Sequence, residues 1–146
     1  MIGLVVLGAA WYWIWGRTSS PPVPIVVVYD SPTCRCCARW VEHLHDQGVP
    51  TIVYQEADME RIKDRLGVPK AMRSCHTAQV GEYLIEGHVP AEDLKRLLAE
   101  RPNVAGLAVP GMPLSTPGMA MPGAPIEPYD VVAFQKDGSV WVYARH

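Results

Sequence analysis

The residues best suited to chemistry lie together in one stretch, Ser31-Pro32-Thr33-Cys34-Arg35-Cys36-Cys37-Ala38-Arg39-Trp40. Cys34 and Cys37 make a CxxC, and Cys34 and Cys36 a CxC. A β-branched run precedes them and an amphipathic segment follows, so the thiols fall at a strand-to-helix junction. Unpaired N–H groups and the dipole at a helix N-terminus stabilise a thiolate there. Such thiolates either exchange disulfides or capture soft metal ions. Disulfide exchange needs two thiols, and a third beside them offers competing partners. For a soft ion the third is useful, since several thiolates can converge on one centre. Cu(I) takes thiolate, thioether and imidazole, whereas zinc asks for four tetrahedral thiolate or imidazole ligands. Structural disulfides in an oxidising compartment are the remaining reading, with Cys34–Cys37 a more plausible bridge than the strained adjacent pair Cys36–Cys37.

Further along stands Cys75-His76, directly before a strand beginning at Thr77. Thioredoxin-like oxidoreductases place a substrate-clamping proline at that point. Here the nearest preceding proline is Pro69, and two metal-capable side chains hold the position. His88 sits at a helix entrance in Gly87-His88-Val89-Pro90. Met112, Met119 and Met121 punctuate a Pro/Gly-rich loop. With little else apolar around them, a core role weakens, and a thioether binds Cu(I) without first losing a proton. His43 lies two helical turns from Cys36 and is expected outside the centre. His45 is expected to be solvated, and His146 has no expected role.

The elements that must position these groups follow from periodicity. Pro24-Ile25-Val26-Val27-Val28-Tyr29 is continuously apolar and reads as a central strand buried on both faces. A turn with Ser31 or Thr33 as N-cap leads to a helix carrying Trp40, Val41 and Leu44 inward and ending at Gly48. A strand over 51–54 comes next. Asp58 then caps a short helix with Ile62 and Leu66 inward, which stops at Gly67-Val68-Pro69. A hairpin over 77–85 turns at Gly81-Glu82. Pro90 is placed at N1 of a helix with stripe Leu94, Leu97 and Leu98. Residues 104–128 lose all periodicity and read as one long loop, the kind that is functional when it occurs inside a compact domain. A last hairpin spans 129–143.

Composition bounds the rest. At 146 residues and net charge −2 with both signs interspersed, the chain has room for one core and lacks the basic stripe of a nucleic-acid binder. Residues 1–15 carry no charged side chain and end in Trp11, Tyr12, Trp13 and Trp15, as interfacial aromatics do. They read as a signal anchor or export signal. Residues 1–22 are therefore taken as leader and linker, and 23–146 as the domain.

Several phrases, taken in order, resemble domain-of-unknown-function family 411, small exported bacterial metal-binding proteins linked with copper tolerance. They are Ser-Pro-Thr-Cys-Arg-Cys-Cys from Ser31, Trp40-Val41-Glu42-His43-Leu44, Gly67-Val68-Pro69, Ser74-Cys75-His76-Thr77-Ala78, Glu86-Gly87-His88-Val89-Pro90-Ala91-Glu92-Asp93, Gly106 to Pro113, and Pro117-Gly118-Met119. Arg35 departs from the glycine common in the family, and its charge would favour the neighbouring thiolates. The resemblance implies a periplasmic protein handling copper, with a second periplasmic copper protein or an efflux component as partner. The expected fold is α/β, a thioredoxin-like sandwich with a long Pro/Gly/Met-rich loop and a C-terminal β-hairpin. The expected ligands are Cys34, Cys36, Cys37, Cys75, His76, His88, Met112, Met119 and Met121, for Cu(I) ahead of zinc. The alternative is a thiol–disulfide oxidoreductase with Cys34 as nucleophile and Cys37 as resolving thiol. More than the oxidoreductase, a binding protein fits the added thiols.

Overall fold

The structure is a computed structural model that describes residues 22–146. The leader expected over 1–22 falls, but for its last residue, outside the described residues. Among the described residues no helix is long and apolar enough to cross a membrane.

Among the described residues, seven strands form one mixed sheet, joined by three α-helices. In chain order these are β1 (Val26–Asp30), α1 (Arg35–Asp46), β2 (Thr51–Gln55), α2 (Met59–Leu66), a 3₁₀ turn (Lys70–Met72), β3 (Thr77–Val80), β4 (Tyr83–Glu86), α3 (Ala91–Glu100), β5 (Gly106–Ala108), β6 (Asp130–Phe134) and β7 (Val140–Arg145). The sheet order is β2-β1-β3-β4-β5-β6-β7. β1 runs parallel to β2, β3 antiparallel to β1, β4 antiparallel to β3, and β5 parallel to β4. β6 and β7 continue antiparallel and close the sheet with the expected C-terminal hairpin.

Register divides the sheet into two faces, because successive side chains alternate. Val28, Ala78, Ile85, Leu107 and Ala133 align in one row across five strands. This row packs with Trp40 and Leu44 of α1 and Leu94 and Leu97 of α3 in the main core. Each such fully buried large side chain contributes about 1.5–3 kcal/mol. The opposite face carries Leu84, Ala108 and Phe134 against Val68 and Met72, around the end of α2 and the 3₁₀ turn.

The strand senses also explain where chemistry gathers. The C-terminal end of β1, the N-terminal end of β3 and the C-terminal ends of β4 and β5 all lie at one end of the sheet. The cysteine-rich turn leaves β1 there, Cys75-His76 enters β3 there, and Gly87-His88 leaves β4 there. The long loop between β5 and β6 starts and finishes there too.

Several expectations need correction. Cys34, not Ser31 or Thr33, is the N-cap of α1, and it makes no side-chain capping bond. Ser31 and Thr33 instead bond one another, Oγ to Oγ1 at 3.1 Å. Pro90 is the N-cap of α3 and Ala91 its first residue. β1 alternates between buried and half-buried, since Tyr29 faces a looser layer and stacks on Tyr54. The loop expected over 104–128 contains a short strand, β5. Three residues are too few for a period to register, and backbone pairing to both β4 and β6 forms it.

Candidate metal centre

Helix α1 begins without a side-chain cap and without an acidic residue in its first turn. Its N-terminal N–H groups and partial positive charge are thus left to the cysteines. Cys34 and Cys37 are joined in a disulfide with Cα atoms 5.4 Å apart. Cys36 and Cys75 are free thiols, both half-buried. The Sγ atoms of Cys34 and Cys36 are 3.5 Å apart.

The second group arrives from β3 and β4. Cys75 Sγ lies 3.4 Å from His76 Nδ1 and 3.2 Å from His88 Nε2. His88 Nδ1–H donates to the Pro117 carbonyl at 2.6 Å, so its Nε2 presents a lone pair toward Cys75. His76 is fully buried, and its Nε2 has no hydrogen-bond partner among the described residues. Its ring lies between Trp40, with centroids 4.3 Å apart, and His88, at 5.4 Å. Trp40 is in turn fixed by its Nε1–H donating to Val89 O at 2.8 Å, which ties α1 to the His88 segment.

Two donor sets result, and Cys75 belongs to both. The ligand atoms of Cys34, Cys36, Cys37 and Cys75 lie within 4.8 Å of one another, and so do those of Cys75, His76 and His88. A zinc–sulfur bond is about 2.3 Å, so two sulfurs sharing an ion stand at most about 4.6 Å apart. Small side-chain shifts therefore suffice for either set to close on an ion, once the disulfide is open in the first set. The donor chemistry fits a soft or borderline metal.

Burial sets the protonation states. It pushes the Cys75 thiol up to about 12, with the adjacent Cys36 adding to the effect. Cys75 is therefore a thiol at neutral pH until a cation displaces its proton. Burial lowers His76 well below the ordinary imidazole range, and neighbouring His88 and Lys63 lower it further. Burial also lowers His88, against the opposing pull of the Pro117 carbonyl. Both rings stay neutral, as metal binding requires.

The loop after β5 is seated on this corner at Pro117-Gly118. Besides the His88 contact, Arg39 Nε–H donates to Gly118 O at 2.7 Å. Gly118 has φ +87°, and a Cβ there would stand 2.7 Å from Trp40 N and 2.8 Å from Cys36 O. We expect Gly118→Ala to destabilise the protein by about 1–3 kcal/mol through overpacking and to unseat the loop. A thermal melt and the His88 imidazole NMR signals check this; both unchanged would contradict it. Of the three methionines, Met119 follows Gly118 directly and is half-buried, Met112 is half-buried in a positive-φ turn, and Met121 is exposed. The loop brings only Met119 next in chain to the seated residues.

The remaining histidines have structural partners. His43 Nε2 accepts the Ala91 N–H at the start of α3, and exposed His45 pairs with Thr51 Oγ1 at 2.6 Å. His146, for which the sequence offered no role, bonds Asp93 Oδ2 at 2.7 Å and ties the end of the chain to α3. Sequence reasoning missed a buried polar group beside the centre: Lys63 Nζ donates to Glu86 Oε2 at 2.9 Å and to Thr77 Oγ1 at 2.8 Å. The expected inward positions of the short helix were Ile62 and Leu66, and the expected hairpin ended at residue 85, so residue order marked neither charge as buried, although both are almost fully enclosed.

An α/β sheet with cysteines and histidines gathered at one end defines the class. Family DUF411, described as a protein of unknown function, matches residues 72–119, the span carrying Cys75, His76, His88, Met112 and Met119. Two solved structures, copper resistance protein copG form 1 and form 2, are similar to this chain, with TM-scores of 0.78 and 0.79. They are 41% and 40% identical to it. The matches cover 85% and 86% of this chain and 98% and 99% of theirs. The chain belongs to the DUF411 family.

Proposed function

We propose that this protein binds Cu(I) at the corner formed by Cys34, Cys36, Cys37, Cys75, His76 and His88, and sequesters the ion or hands it on in copper tolerance. The observation that carries the reading is the shared position of Cys75 in both donor sets. The name of the solved relatives, copper resistance protein, supports copper as the metal. Mixed thiolate and imidazole donors suit Cu(I) over hard ions, and zinc is second choice. With the disulfide closed, Cys36, Cys75, His76 and His88 are the available donors. Two-electron reduction by a dithiol would add Cys34 and Cys37. Met119, with Met112 and Met121 further along the loop, would supply capture thioethers. Transfer would proceed by ligand exchange, an incoming donor joining before the old one leaves.

Export to the periplasm and anchoring through residues 1–22 belong to the same proposal, supported by the apolar leader and by a disulfide. A second periplasmic copper protein or an efflux component would be the partner. A thioredoxin-like assignment is supported by the order β2-β1-β3-β4 with only β3 running against the other three, and by a CxxC opening α1.

The test is titration of the reduced protein with Cu(I) against a competing chelator. Stoichiometric, tight uptake is expected; failure to compete would end the proposal. Affinity should also rise with pH. Cys75 is protonated throughout pH 6–8, so each unit of pH adds about tenfold for that one displaced proton. Burial holds both imidazoles below the ordinary imidazole range, so above neutrality the slope belongs to the thiols. A flat profile would contradict thiolate ligation.

A second reading, disulfide exchange, draws on the Cys34–Cys37 bridge at a helix N-terminus. Cys36, 3.5 Å from Cys34, competes for any mixed disulfide. Insulin reduction that survives Cys36→Ser and Cys75→Ser would favour it.

A further inference from the structure

We infer that the buried Lys63–Glu86 pair is a positioning device that locks the Cys75-His76 dipeptide against His88. The inference rests on the reading of these three residues as one metal centre. Lys63 and Glu86 are 2% and 0% exposed and come from different elements, α2 and β4. Glu86 Oε2 accepts the Ser74 N–H at 2.9 Å, and Oε1 accepts the Thr77 hydroxyl. Lys63 bonds that same hydroxyl from the α2 side.

Residues 74 and 77 bracket the Cys-His dipeptide, so one carboxylate grips both sides of it. Glu86 also lies two residues before His88 on the same stretch of backbone. The grip therefore fixes one ligand-bearing segment to the other. Two further contacts run between the same segments: Gly87 N–H approaches His76 O at 3.5 Å, and Ser74 Oγ fills the space a Cβ at residue 87 would need, 2.8 Å away.

Stability alone is a weak reason for such a pair. Desolvating two charges offsets most of their attraction, and apolar replacements of similar volume are often neutral or stabilising. What an apolar pair cannot do is hold the Ser74 amide and the Thr77 hydroxyl at fixed points. Outer partners of this kind orient metal ligands, and losing them lowers metal affinity by about 10–100-fold.

The experiment uses the reduced full chain with the double substitution Lys63→Met/Glu86→Leu, and separately Thr77→Val. Two quantities are read: NOE contacts among the Trp40, His76 and His88 rings in the metal-free protein, and Cu(I) affinity by chelator competition. The double variant is expected to keep its fold, lose or redistribute the ring contacts, and bind Cu(I) about 10–100-fold more weakly. Thr77→Val should show the same changes to a smaller degree, and it decides the matter if the double variant does not fold. The ring contacts are decisive in either case. A folded variant that keeps wild-type ring contacts overturns the inference. If the wild type binds no Cu(I), the functional proposal fails, and the ring contacts alone still judge the positioning.

Discussion

Cys75→Ser will lower the Cu(I) affinity of the reduced protein more than any other single cysteine substitution. Loss of an outer partner already costs about 10–100-fold, so loss of the shared ligand should exceed about 100-fold. The reason is geometric. Cys34, Cys36 and Cys37 can meet an ion without the histidines, and the histidines without the helix cysteines, but each set includes Cys75. Serine has nearly the same shape, keeps a hydrogen bond within reach of His88 Nε2, and removes only the soft donor. The fold should be retained, because Cys75 is half-buried and outside both apolar clusters. Chelator competition alongside a thermal melt reads both quantities. Equal losses for Cys75→Ser and Cys36→Ser would show that the two sets do not share this residue.

Lys63→Met alone will give the largest loss of stability among these substitutions, about 3–5 kcal/mol, because it strands a carboxylate in the interior. Glu86 is already shifted upward by burial, and the Lys63 ammonium is the foremost influence opposing that shift. Without Lys63 the folded-state pKa of Glu86 rises further. A carboxyl whose folded pKa lies above its unfolded value is penalised once pH exceeds the unfolded value, and the penalty grows until the folded pKa is passed. The deficit should thus be widest near pH 8 and narrow as pH falls toward 5. Urea unfolding at both pH values measures it. The double variant Lys63→Met/Glu86→Leu, which removes both charges, should recover most of the loss. A deficit independent of pH, or one the double variant does not relieve, would mean that lost packing and not the stranded charge is responsible.

Much of this architecture could be read from residue order. The β-branched run before Cys34, the Asp58 cap and the Gly81-Glu82 turn each carry a local signal. The structure matches them: Asp58 Oδ1 accepts the Arg61 N–H at 3.0 Å, and β3 and β4 pair across that turn. The candidate ligands were legible because Cys75-His76 stands where a strand begins beside the cysteine-rich turn. β5 was not legible, since only its neighbours make Gly106-Leu107-Ala108 a strand. Nor was the Lys63–Glu86–Thr77 group, whose members come from three elements. Helix periodicity marks which side of α2 turns inward but not that a lysine there meets a glutamate 23 residues later. The carbonyl of Pro117 that holds His88 belongs to backbone, which no side-chain pattern announces.

The most direct measurement is copper K-edge X-ray absorption of the reduced protein loaded with Cu(I), compared with Cys75→Ser. The wild type should show sulfur neighbours together with the outer scattering of imidazole, and the variant should lose one component of that mixed sphere. Copper bound by sulfur alone, with no imidazole signature and no difference in the variant, would contradict a centre at which Cys75, His76 and His88 meet the helix cysteines.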